Sequence, residues 1–151
     1  MQDYDGQTMT SLNILKQLSN TAESDECYTP SDQVLPLLEY LDKDKTYYEA
    51  TSGKSSNILD GFHKYGYNMV GSDGRDFFDC VYGDVYDGVI TNPPYSLKDK
   101  FIRHCYDLGK PFALFLPVAS FQGKRREQMF MDYGMSALVY NNRVDFTGGG
   151  S

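Results

Sequence analysis

Asn92-Pro93-Pro94-Tyr95 places two hydrogen-bond acceptors and one aromatic face within four residues. Consecutive prolines hold the backbone out of any regular ladder and leave their carbonyls without a competing local partner. The Asn92 side-chain oxygen and the Pro93 carbonyl can then accept the two hydrogens of a single amino group, while Tyr95 offers a flat surface to a planar molecule. Such a clamp suits methyl transfer to an exocyclic amine. The apolar run Val85–Ile90 before it reads as a strand, and Ser96–Ile102 after it as the start of a helix.

Three further segments have the make-up of ligand walls. Glu49-Ala50-Thr51-Ser52-Gly53-Lys54-Ser55 couples an acid to a glycine that permits a tight turn and close backbone approach. In Gly71-Ser72-Asp73 a carboxylate is placed to accept both hydroxyls of a ribose. Asp76-Phe77-Phe78 pairs an acceptor for an adenine amino group with an aromatic face. Gly53-Lys54-Ser55 imitates the end of a phosphate-binding P-loop, but position 48 holds Tyr48 where that motif needs glycine, so ATP hydrolysis is not expected. A dinucleotide-type G-x-G-x-x-G is also absent.

Positioning these segments is the task of a regular alternation. Strands are expected at Thr46–Ala50, Tyr67–Ser72, Tyr86–Thr91, Phe112–Pro117 and Ala137–Asn141; helices at Ser55–Tyr65, Leu97–Leu108 and Arg125–Tyr133. That order predicts an α/β fold, a doubly wound and mostly parallel sheet with helices on both faces. Ligands of such sheets sit beyond the carboxyl ends of the strands, where all four segments fall. Upstream, Thr29-Pro30-Ser31-Asp32 reads as a helix start, followed by the apolar stripe Val34, Leu37, Leu38 and Leu41, with Pro36 bending its early part. Residues 1–24 form a polar arm in which Leu12, Leu15 and Leu18 suggest a short packing helix. Residues 25–146 make one domain, and 147–151 a flexible glycine-rich end.

Composition narrows the chemistry. The chain has 151 residues, enough for a core without disulfides or metals, and 13 Tyr and 9 Phe but no Trp. Three cysteines without close spacing and two distant histidines give no disulfide framework and no metal centre. No signal peptide or membrane-length apolar run is evident, which makes the cytoplasm the expected location and a membrane an unexpected partner. A net charge of −7 argues against strong unaided binding to nucleic acid. The one dense basic run, Lys124-Arg125-Arg126, reads as a solvated helix start at least as readily as a phosphate contact.

Taken together, the segments resemble the class I S-adenosylmethionine-dependent methyltransferases, specifically the amino-group (N6) adenine methyltransferases of DNA, short phage-type members included. The resemblance covers about residues 26–146. It implies a Rossmann-like methyltransferase fold and S-adenosylmethionine as cofactor. In that family a Tyr-Thr-Pro element flanks the methionine part of the cofactor, matched by Tyr28-Thr29-Pro30. The acidic loop is matched by Glu49 to Gly53, including Ala50; the ribose-binding acid by Asp73; the adenine-binding pair by Asp76-Phe77; and the catalytic tetrapeptide by Asn92, Pro93, Pro94 and Tyr95. Their order is that of one permuted group of the family.

The resemblance implies methylation of adenine in DNA, with the base out of its stack and resting on Tyr95. Two departures stand out. Ser55 replaces the family's second loop glycine. The sequence also ends just after its sixth-strand region, without the residues expected for a last antiparallel strand or a target-recognition domain. A partner chain, in a homodimer or a larger complex, would then cover the open edge. Two alternatives remain: methylation of RNA or of protein glutamine amides, and a catalytically degenerate subunit that binds cofactor or a partner.

Overall fold

The computed structural model describes residues 31–53, 56–79 and 85–140. The polar arm, Tyr28, Thr29, Pro30, Lys54, Ser55 and the glycine-rich end therefore lie outside the described residues.

Four short strands, β1 (Thr46–Glu49), β2 (Asn68–Gly71), β3 (Gly88–Thr91) and β4 (Phe112–Leu114), form one all-parallel sheet in the order β2-β1-β3-β4. In register, Tyr48 stands beside both Val70 and Val89, and Ile90 beside Ala113. Parallel neighbours need a crossover between them. Helix α1 (Leu35–Leu38) precedes β1; α2 (Asn57–Lys64) carries the chain from β1 to β2, and α3 (Lys98–Leu108) from β3 to β4. A last helix, α4 (Lys124–Tyr133), follows β4.

The two crossovers run in opposite directions along the sheet, so a common right-handed connection puts α2 and α3 on opposite faces. Two separate cores record this. Tyr48, Val89 and Ala50 face Phe77, Phe101, Cys105 and Leu108 on the α3 side. Their strand neighbours Tyr47, Ile90 and Met69 face Val34, Ile58, Leu59 and Phe62 on the α2 side. This period-two alternation, apolar on both faces, is the signature of a sheet covered twice. At the β2 edge the cover is one-sided, since Met69 is buried while Asn68 and Val70 are exposed.

Local signals explain the element ends. Ser56 caps α2 by accepting from the Leu59 N–H at 3.1 Å, and Gly109 ends α3 in the left-handed region at φ 65°. Pro36 does alter the first helix: a 3-10 turn at Ser31–Val34 gives way to α1, with proline in its first turn, where a missing N–H costs no helical bond. Val34 is fully buried there, and Leu37, Leu38 and Leu41 pack partly buried against the same core.

One expected strand does not form over its described part. Residues 137–140 pair with no strand, and Leu138 and Val139 are exposed. The segment after α4 is held by side chains, with the Tyr106 hydroxyl donating to the Gly134 carbonyl at 2.8 Å and the Tyr140 hydroxyl to the Gln33 carbonyl at 2.5 Å. Anchors of this kind fix its course without offering a ladder.

Among the described residues no helix is long and apolar enough to cross a membrane, and no group of three His, Cys, Asp or Glu side chains could hold a metal ion. Cys105 sits in the α3-side core, where burial pushes its thiol up to about 12. A neutral, enclosed thiol is a poor nucleophile. Native protein treated with iodoacetamide at pH 8 and mapped by mass spectrometry should leave Cys105 unmodified, whereas urea-unfolded protein should be alkylated there.

Candidate functional site at the strand ends

The order β2-β1-β3-β4 has a switch point between β1 and β3: the chain leaves β1 toward one side of the sheet and β3 toward the other. Loops that diverge in this way open a crevice beyond the carboxyl ends of the two strands. The loop after β1 carries Glu49 to Gly53, and the loop after β3 carries Asn92 to Tyr95. The fold thus brings the acidic loop and the Asn-Pro-Pro-Tyr segment to the same end of the sheet.

Glu49, the last residue of β1, is only 1% exposed. A carboxylate in such a place must find donors or lose heavily to desolvation. Three converge on its Oε1: the Thr91 hydroxyl at 2.5 Å, the Thr51 N–H at 2.9 Å and the Thr51 hydroxyl at 3.0 Å. None of these bonds uses Oε2. The Thr51 hydroxyl also lies 2.9 Å from the Thr91 hydroxyl and 3.3 Å from the Asn92 carbonyl. With the Thr91 hydrogen directed at Glu49, the single Thr51 hydrogen has three acceptors within reach: Glu49, Thr91 and Asn92. The buried acid is therefore linked, through one side chain, to the backbone of the clamp.

Sequence reasoning singled out Glu49 but neither threonine. The available signal was a hydroxyl residue ending one strand beside an acid ending its neighbour. That juxtaposition depends on β1 pairing with β3, which are separated by β2 in the chain.

Ser52 and Ser72 lace the loop after β1 to the loop after β2. The Ser72 N–H donates to Ser52 Oγ at 2.7 Å, the Gly53 N–H to Ser72 Oγ at 3.0 Å, and the Asp73 N–H to the Gly53 carbonyl at 2.9 Å. Asp73 and Gly74 then turn the chain, both with positive φ (44° and 80°), and the Arg75 N–H closes on the Ser72 carbonyl at 2.8 Å. An aspartate in the left-handed region is uncommon and tolerated mainly in turns. It leaves Asp73 exposed at the rim, while Gly53, itself at φ 56°, leaves open space where a Cβ would stand.

At the next turn the predicted residues part company. Asp76 is buried and its Oδ1 accepts from the Phe78 N–H at 2.9 Å. Phe77, expected to lie along a ligand, is instead a core residue, 3% exposed, with its ring 5.0 Å from that of Phe101 and 4.8 Å from that of His104. Ala50 is likewise in the core. Phe78, partly buried, is the second ring at this turn.

In the clamp, Pro93 is buried, and Asn92, Pro94 and Tyr95 are half-buried. Its carbonyls divide unequally. Asn92 accepts from Thr51, Pro94 from the Leu97 N–H at 2.9 Å, and Tyr95 from Lys98 Nζ at 3.0 Å. None of these bonds uses the Pro93 carbonyl. A 3-10 turn at Tyr95–Leu97 runs straight into α3, so the clamp is braced by a strand on one side and a helix on the other.

The chain matches no protein-family model, no curated protein and no solved structure.

Two substitutions test how this site is held. Thr91→Val keeps the shape but removes a hydrogen bond to a buried carboxylate; urea unfolding should show a loss of about 1.5–3 kcal/mol, more than Thr51→Val at its half-buried position. At Gly71 an added Cβ would meet Ser52 Oγ at 2.5 Å and Leu59 Cδ1 at 2.9 Å. Gly71→Ala should therefore cost about 1–3 kcal/mol in the same assay, because Ser52 is anchored to Ser72 and cannot simply swing away.

Proposed function

We propose that this protein is an S-adenosylmethionine-dependent methyltransferase acting on the exocyclic N6 amine of adenine in DNA, working in the cytoplasm. The observation that carries the reading is the position of Asn92-Pro93-Pro94-Tyr95. It lies at the switch point of a parallel sheet, wired through Thr51 to a buried acid and with a proline carbonyl outside the local bonding. The donor set suits a nucleoside bearing an amino-acid tail. Asp73 stands exposed on a tight turn, fit to accept from ribose hydroxyls, and Gly53 leaves room for close approach. Asp76 provides a carboxylate beside Phe78, and Glu49 closes the inner end.

When bound, the cofactor supplies an electrophilic methyl group on a sulfonium. The protein's own part is orientation. The Asn92 side-chain oxygen and the Pro93 carbonyl accept the two amino hydrogens of adenine, drawing the nitrogen toward a pyramidal, lone-pair-bearing geometry. Tyr95 holds the plane of the base once it has left its stack. Both acceptors favour the positive charge that grows on nitrogen during transfer, and the surplus proton leaves to water afterwards. Alignment of two ligands in one crevice supplies much of the rate.

Transfer of labelled methyl groups to unmethylated DNA, followed by nucleoside analysis, tests the reading. Wild-type protein should yield N6-methyladenine, and Asn92→Ala should lower kcat by about 10²–10³, the usual cost of losing one preorganised group at developing charge. In calorimetry, Asp73→Ala should weaken cofactor binding by about 1.5–3 kcal/mol. Equal transfer by Asn92→Ala would remove the clamp from the mechanism. Cofactor binding without turnover on any acceptor would make the chain a binding subunit instead.

A further inference from the structure

The stretch from the first turn of α3 to the first turn of α4 is rich in basic side chains. Between Lys98 and Arg126 the sequence holds seven Lys and Arg against only Asp99 and Asp107, within a chain of net charge −7. Several of these cations are bonded within the fold. Arg103 pairs with Asp107 at 3.1 Å, and Lys110 Nζ donates to the Tyr86 carbonyl at 2.7 Å. Arg126, the third member of the basic triplet, donates to Asp99 at 2.6 Å, to the Ser120 carbonyl at 2.7 Å and to the Gln122 carbonyl.

Arg126 thus pins the first turn of α4 to the first turn of α3, which itself continues the clamp. Lys98 and Lys100 in one turn and Lys124 and Arg125 in the other are brought into neighbourhood by that tie. Lys124 and Arg125 are exposed, and Lys98 Nζ already rests on the Tyr95 carbonyl. Cations in a first helical turn oppose the helix dipole, while Asp99 and Glu127 in the same two turns favour it.

Between the two turns runs the 3-10 segment Val118–Phe121, with Val118 69% and Phe121 43% exposed. Ser120 within it is 4% exposed, and its hydroxyl has no hydrogen-bond partner among the described residues. Exposed aromatic surface interleaved with cations, beside an acceptor clamp, is the make-up of a platform for single-stranded nucleic acid: phosphates on the charges, a base on the ring.

We propose that Lys100, Lys124, Arg125 and Phe121 form the docking surface for a single strand of nucleic acid, which they lead past Tyr95. The occupant follows from charge complementarity: across these two helical turns Lys98, Lys100, Lys124, Arg125 and Arg126 outnumber Asp99 and Glu127, in a chain of net charge −7, so a polyanion is drawn here. A single strand is favoured over a duplex because its bases are already free to meet Phe121 and Tyr95. The inference rests on the proposed amine chemistry for its direction but concerns binding alone.

The test is fluorescence anisotropy with a labelled adenine-containing single-stranded oligonucleotide, its duplex, and polyglutamate as competitor, from 20 to 200 mM salt. The single strand should bind more tightly than the duplex, with affinity falling as salt rises. Lys124→Ala/Arg125→Ala should reduce the slope of log affinity against log salt by about 1.4, two contacts at about 0.7 each. Phe121→Ala should weaken the single strand several-fold and leave the duplex unchanged. These positions are exposed, and an unchanged thermal melt verifies the fold of each variant.

An unaltered slope in the double variant overturns the proposal, as does tighter duplex binding or equal displacement by polyglutamate, which would mark an acidic protein as partner. The two readings separate cleanly. Strand binding as described without methyl transfer leaves this surface standing and sinks the enzyme, whereas methyl transfer with the same salt dependence in wild type and double variant does the reverse.

Discussion

Glu49 brings a carboxylate to a position with almost no access to water, at the end of β1 and beside the end of β3. Desolvation of that group must be met by donors in fixed places, and the surrounding structure is arranged to supply them. Thr91 ends the neighbouring strand with its hydroxyl on Glu49, and Thr51 returns with both its N–H and its hydroxyl. Because Thr51 also reaches the Asn92 carbonyl, the demand of one buried acid sets the course of the loop after β1 and ties it to the loop after β3. Ser52 and Ser72 extend the same lacing to β2, so three loops that are distant in the chain form one wall.

The sheet beneath makes that wall rigid. Aromatic residues fill the α3-side core: Tyr48 stacks on Tyr86 at 5.0 Å and Phe77 on Phe101 at 5.0 Å. Packing on this scale stabilises through apolar area and through ring geometry, and it fixes the strand ends on which the site stands. It also explains why Phe77 is unavailable to a ligand. In an aromatic pair at the end of a strand, one ring must complete the core, and only tertiary packing decides which.

Much of the local backbone at the strand ends was legible from residue types. Asn-Pro-Pro-Tyr declares itself because two prolines exclude a helix and a ladder, whatever surrounds them. Asp73-Gly74 declares a turn because few other pairs accept positive φ twice. The alternation of strands and helices is equally local, and each of the three long helices lies within two or three residues of the run that announces it. The segment at 137–140 shows the limit: β-branched and apolar residues there looked like a strand, but a strand exists only where a partner offers its edge, and tyrosine anchors hold this stretch elsewhere.

The same division runs through the charged residues. Nothing in Lys124-Arg125-Arg126 tells its three members apart, yet Arg126 is a structural tie to Asp99 while its neighbours stay at the surface. The sequence by itself determined the covered parallel sheet, the turns and the extended Asn-Pro-Pro-Tyr segment, because each follows from backbone restrictions and periodicity within a few residues. Only the tertiary structure decided that Glu49, Thr51, Thr91 and Asn92 form one network and that Phe77 belongs to the core. Those outcomes depend on which strands pair and which side chains reach across them, and contacts spanning some 40 residues leave no local mark in the chain.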